Sequence, residues 1–122
     1  MSFLTYIASD SPIPESKLLW PLSFGAEDIY TEKHYVAEVI PGLEDMDGLA
    51  EFLKLLVFKQ GETEVWRIWQ GVEYKPVIRS RDIRVDELSI EDLVGLYAKD
   101  VANETTTSFG IPVQYRIVLL PE

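Results

Sequence analysis

Residues 43 to 60 carry apolar side chains at Met46, Leu49, Ala50, Leu53, Leu56 and Val57, with charged residues between them. That i, i+3, i+4, i+7 spacing predicts a helix with one buried face. Its flanks change period. His34-Tyr35-Val36-Ala37-Glu38-Val39-Ile40 before it and Glu64-Val65-Trp66-Arg67-Ile68-Trp69-Gln70 after it are β-prone. Pro41-Gly42 breaks the first strand and Gly71 ends the second. The acidic start of the helix (Glu44, Asp45, Asp47) suits the positive end of its dipole, and Lys59 and Gly61 suit its end.

The same grammar continues downstream. Residues 76 to 85 read as a strand, with Pro76 at its start and Arg79, Arg81 and Asp82 toward its exposed side. A second helix begins at Ser89, where Asp92 three residues on approximates a capping box and Leu88 can staple against Leu93. Ile90, Leu93, Val94, Tyr97 and Val101 share one face of it. A polar loop from Asn103 to Gly110 leads to a final strand, Gln114 to Leu120.

The order from His34 onward is therefore β-α-β-β-α-β. Its commonest packing is the ferredoxin-like one, a four-stranded antiparallel sheet with two helices on one face. Residues 3 to 8 read as an extra strand extending one edge. Residues 9 to 33, with Pro12, Pro14 and Pro21, read as an irregular connection pinned by Leu18, Leu19, Trp20 and Phe24. The expectation is one α+β domain over 1–122, with 1–33 as an N-terminal extension and 34–122 as the core. A chain of 122 residues suits one hydrophobic core.

Several function classes drop out. The chain has no cysteine and one histidine, His34, so thiolate sites, multi-histidine metal sites and most nucleophilic triads lack their parts. Glu44-Asp45-Met46-Asp47-Gly48 looks superficially like a calcium loop, but Leu56 stands where the closing glutamate is required. The seven glycines are isolated, so no phosphate-cradling loop can be drawn. Neither a metal nor a cofactor is expected. A net charge of −10 repels nucleic-acid backbones and anionic membranes. Met1 to Ile7 lacks the basic region of a signal peptide, and the cytoplasm is the expected location.

The second acidic cluster, Asp82, Asp86, Glu87, Glu91 and Asp92, could serve acid–base chemistry, but Asp86, Glu91 and Asp92 suit a helix start and that reading is preferred. The tryptophan-rich strand is more distinctive. At period two, Trp66 and Ile68 face one side while Val65, Arg67 and Trp69 face the other. Helices on one face would bury one tryptophan and leave the other beside Arg67, Arg79 and Arg81 as an interaction face of the kind that anchors interfaces. Alternatively, the N-terminal segment folds across that face and buries it.

Ile29-Tyr30-Thr31-Glu32-Lys33-His34-Tyr35, followed by the stretch from Glu64 to Gly71, resembles a group of small acidic proteins of low-GC Gram-positive bacteria with no assigned activity. The likeness runs mainly from Ile29 to Tyr97 and implies a bacterial cytosolic origin without implying any chemistry.

Together these features predict a non-enzymatic interaction module that meets a protein partner, or a second copy of itself, through the Arg67–Trp69–Arg79–Arg81 face. One version is an immunity-type inhibitor whose acidity neutralises a basic protein. The alternative is a dimeric ferredoxin-like domain that binds or transforms a small molecule, with His34, Tyr35, Trp66 and Arg79 as its only polar or aromatic candidates.

Overall fold

The computed structural model describes residues 3–20, 29, 31–40, 42–69, 77–96 and 113–122. Five strands, β1 (Phe3–Ser9), β2 (Tyr35–Glu38), β3 (Thr63–Trp69), β4 (Val77–Arg84) and β5 (Val113–Leu120), form one mixed sheet in the order β2-β1-β3-β5-β4. Among the described residues, two α-helices, α1 (Met46–Gln60) and α2 (Ile90–Leu96), accompany the sheet in an α+β architecture. The turn at Gly71, the second helix's extension to Tyr97 and Val101, the loop from Asn103 to Gly110, and Phe24 lie outside the described residues.

The strand order departs from the ferredoxin-like expectation. The N-terminal strand does not extend an edge. It lies between β2 and β3 and pairs antiparallel with both. β4 and β5 run parallel, so the sheet is mixed where an all-antiparallel one was expected. Burial explains the order. Tyr6, Ile7 and Ala8 are buried on both faces of β1, as only an interior strand allows. β4 carries Arg79, Ser80, Arg81 and Asp82, all exposed, and such a strand is stable only at an edge. The short β2, with Tyr35 exposed, takes the other edge.

One face of the sheet packs on both helices. Leu49, Leu53, Leu56 and Val57 of α1 and Leu93 and Leu96 of α2 meet Ile7, Val65, Ile117 and Leu119. α1 starts where Asp45 Oδ1 accepts the amide of Gly48 at 2.9 Å and ends at Gly61, whose φ of +86° suits glycine alone. The capping box at α2 is present in its reaching-back half. The Asp92 carboxylate accepts both the Ser89 amide (2.9 Å) and the Ser89 hydroxyl (3.0 Å).

The other face is also buried. Tyr6, Ala8, Trp66, Ile68 and Ile29 form a second cluster, with Leu4, Val36 and Ile78 against it. Along one row of this face, cross-strand neighbours run Glu38, Tyr6, Trp66, Arg116, Ser80 over all five strands. Polar groups are folded into the row. Trp66 Nε1 donates to Glu64 Oε1 at 2.9 Å, the Thr31 hydroxyl donates to the same oxygen, and Arg116 Nε donates to Ser80 Oγ at 2.8 Å. Glu64 is thereby buried with partners, which a carboxylate in the interior requires.

Candidate functional site

All five arginines of the chain, Arg67, Arg79, Arg81, Arg84 and Arg116, lie on three neighbouring strands, β3, β5 and β4. Three of them already hold carboxylates, Arg81 that of Asp92, Arg84 those of Asp86 and Glu87, and Arg116 that of Glu64, so this flank is a band of paired charge within a protein of net charge −10. Pairing fixes how they stand. Arg67 is opposite Tyr115, and Tyr115 is opposite Arg79, in one cross-strand row; Ile117 and Arg81 are opposite each other in the next.

These rows open into a cleft of about 360 Å³ between α2 and the β4–β5 pair, lined by Arg79, Arg81, Tyr115, Asp92, Gly95 and Leu96 among others. Gly95 shapes it, because nothing lies within 4 Å of where its Cβ would sit. Arg81 is anchored to Asp92, although its side chain stays 57% exposed. Burial alone would raise the Asp92 carboxyl, but hydrogen bonds from the Ser89 amide and hydroxyl and from Arg81 outweigh it and hold the group below the usual carboxylate range. The anchor thus stays ionised and fixes one guanidinium at the mouth of the cleft. Arg67 Nη1 donates to Thr5 Oγ1 at 2.9 Å and closes the same row toward β1.

Arg67, Arg79 and Arg81 therefore share a side of the sheet, and it is the side that bears the helices. They stand beyond the helices' cover, not on a helix-free face. Trp69 is described through its backbone alone, paired with Phe3. The other candidates are scattered. His34 is exposed at a bend before β2. Tyr35 lines a separate groove at the β2 edge with Trp20, Pro12 and Pro14. Trp66 is wholly buried under Arg116, whose guanidinium carbon lies 5.4 Å from the ring centroid. Tyr35 and Arg79 are on strands at opposite edges of the sheet, so His34, Tyr35, Trp66 and Arg79 do not converge on one pocket.

Tyr115 completes the cleft without having been singled out in the sequence, whereas Asp92, weighed there within an acidic cluster and as a helix cap, becomes the anchor of Arg81. The signal for Tyr115 was only its place in an alternating strand, and its neighbours depend on the β4–β5 register. Among the described residues no three His, Asp or Glu side chains gather as metal ligands, and no helix is long and apolar enough to cross a membrane. Compared with protein-family models, curated proteins and solved structures, the chain matches none.

Proposed function

We propose that this chain is a non-enzymatic interaction module whose working surface is the arginine-lined cleft beside β4, and that it takes an acidic segment of a protein partner. The observation that carries the proposal is the placement of Arg79 and Arg81 around Tyr115, with Asp92 setting one guanidinium in place. Guanidinium groups offer planar, forked donors to carboxylates, and arginine beside tyrosine is the composition of an interface anchor. The cleft lining sets Arg79, Arg81 and Arg116 beside the carboxylates of Glu91 and Asp92, so the forked geometry of the guanidiniums, and not a broad cationic field, is what favours an acidic segment. The resemblance over Ile29 to Tyr97 supports a bacterial cytosol as the setting.

Titration of the isotope-labelled protein with an oligoglutamate peptide tests the proposal. Amide shifts are expected at Arg79 to Arg81 and at Tyr115, and an oligolysine peptide should leave these positions unmoved. Equal binding by an Arg79→Ser, Arg81→Ser variant, or no shift at all, overturns it.

A further inference from the structure

Resting on that proposal, we infer how the partner binds: as an extended acidic segment added to β4 as a sixth strand of the sheet. The two edges of the sheet differ. β2 is four residues long, and the chain's own segment caps its end, with Trp20 N donating to Glu38 O at 2.9 Å and Ile40 N donating to Leu18 O at 2.9 Å. β4 is eight residues long, and among the described residues only β5 pairs with it.

Two usual protections of an edge, a bulge and a proline, are missing from β4 itself. Its register with β5 advances one for one from Val77↔Val113 to Arg84↔Leu120, so no bulge twists it away, and the strand contains no proline. Among the described residues its guard is charge, and that guard is selective. A two-fold pairing of β4 with a second copy of itself must set residues of the same face opposite each other. Every such register longer than about three residues opposes like charges: Arg79 to Arg79, Arg79 to Arg81, Arg81 to Arg81, or Asp82 to Asp82. The edge therefore disfavours a second copy and admits a strand of opposite charge.

The alternation specifies that strand. Arg79 and Arg81 project on the cleft side, two residues apart, so carboxylates two residues apart on the incoming segment meet them in turn. Ile83 follows on the same side and accepts an apolar neighbour. Backbone bonds to the edge supply sequence-independent affinity, while the arginines select the charge pattern.

The test compares four synthetic peptides on the full chain: an alternating glutamate–valine octapeptide, two forms of it N-methylated at alternate residues along one edge or the other, and an alternating lysine–valine octapeptide. The unmodified acidic peptide should bind and slow hydrogen exchange of β4 amides. Methylation on one of the two edges should weaken it by about tenfold or more, and methylation on the other much less. Equal binding of both methylated forms, still dependent on Arg79 and Arg81, overturns strand addition while leaving the cleft proposal standing. Failure of all the acidic peptides, or equal binding of the lysine peptide, overturns both. A dimer with β4 amides already protected without peptide overturns the choice of occupant.

Discussion

Trp66 and Arg116 face each other across β3 and β5, with the guanidinium carbon 5.4 Å from the centre of the indole ring. The same guanidinium lies 3.7 Å from Glu64, whose other oxygen takes the Trp66 indole proton. Tryptophan, arginine and glutamate thus satisfy one another inside a face that packing would otherwise make purely apolar. Removing Arg116 leaves the buried Glu64 carboxylate with the neutral donors Thr31 and Trp66 but without that guanidinium. Arg116→Met is expected to lower stability by about 2 kcal/mol, and adding Glu64→Gln to it should recover part of the loss. Urea denaturation of the two single variants and the double variant measures the coupling. Strict additivity would show that the pair does not act as a unit.

Two helical glycines should respond oppositely to alanine. A Cβ at Gly48 would collide with Asp45 Oδ2, in the carboxylate that caps α1, whereas a Cβ at Gly95 meets nothing within 4 Å. Gly95→Ala is expected to stabilise by up to about 1 kcal/mol through helix propensity. Gly48→Ala should give no such gain, because displacing the cap costs about 1 kcal/mol. Thermal melts of both variants decide it, and a stabilised Gly48→Ala would count against the capping geometry.

Glu38 and Asp92 should impose pH dependences of opposite sign. Burial pushes the Glu38 carboxyl up, with the Tyr6 hydrogen bond opposing more weakly. A raised carboxyl favours folding in its protonated form, so that contribution is complete below the unfolded value, about 4.3, and is lost as pH rises through the folded one. Glu38→Gln should therefore raise the melting temperature at pH 7, with the gain shrinking near pH 4. The lowered Asp92 carboxyl contributes above the unfolded value, about 3.9, and loses its contribution as pH falls through the folded one. Asp92→Asn should cost stability at pH 7 and progressively less in acid.

Lys33 ties the N-terminal segment to the sheet. Its ammonium reaches Asp10 at 2.9 Å and Glu62 at 2.6 Å with the lysine side chain only 9% exposed, although both carboxylates are largely open to water. Burial alone would lower its pKa, but the hydrogen bonds and charges of the two carboxylates leave it raised. Lys33→Met is expected to cost no more than about 1 kcal/mol after solvent screening, and the cost should fall further in high salt. Denaturation at low and high ionic strength reads both effects.

The elements themselves were legible in the sequence because each has its own period. α1 appears where its apolar spacing placed it, and β3, β4 and β5 begin and end within a residue of expectation. Strand order was not legible, because the alternation of a strand says which residues share a face and nothing about which strand lies beside it. A local hint existed. Phe3 to Ala8 carries no charge, whereas Arg79, Arg81, Asp82 and Arg84 mark β4 as unfit for the interior. Weighing that difference would have moved β1 inward. The faces of Trp66 and Arg67 were assigned correctly relative to each other. Which face the helices would take depended on Ile7 and Ile117, residues far from Trp66 in the chain, and that packing is invisible to local pattern.

The central place of β1 has a consequence for how the chain matures during synthesis. Tyr6 waits for Trp66, about sixty residues downstream, before its second edge is filled. Until β3 emerges from the ribosome, β1 and β2 amount to a two-stranded ribbon, which is marginal alone in water. α1 is made in that interval, before β3 and β5 can complete the sheet against it. Closing so many long-range pairs late predicts slow folding for a domain of this size, and it makes the nascent chain dependent on β5, the final strand, which clamps β3 and β4 into one sheet.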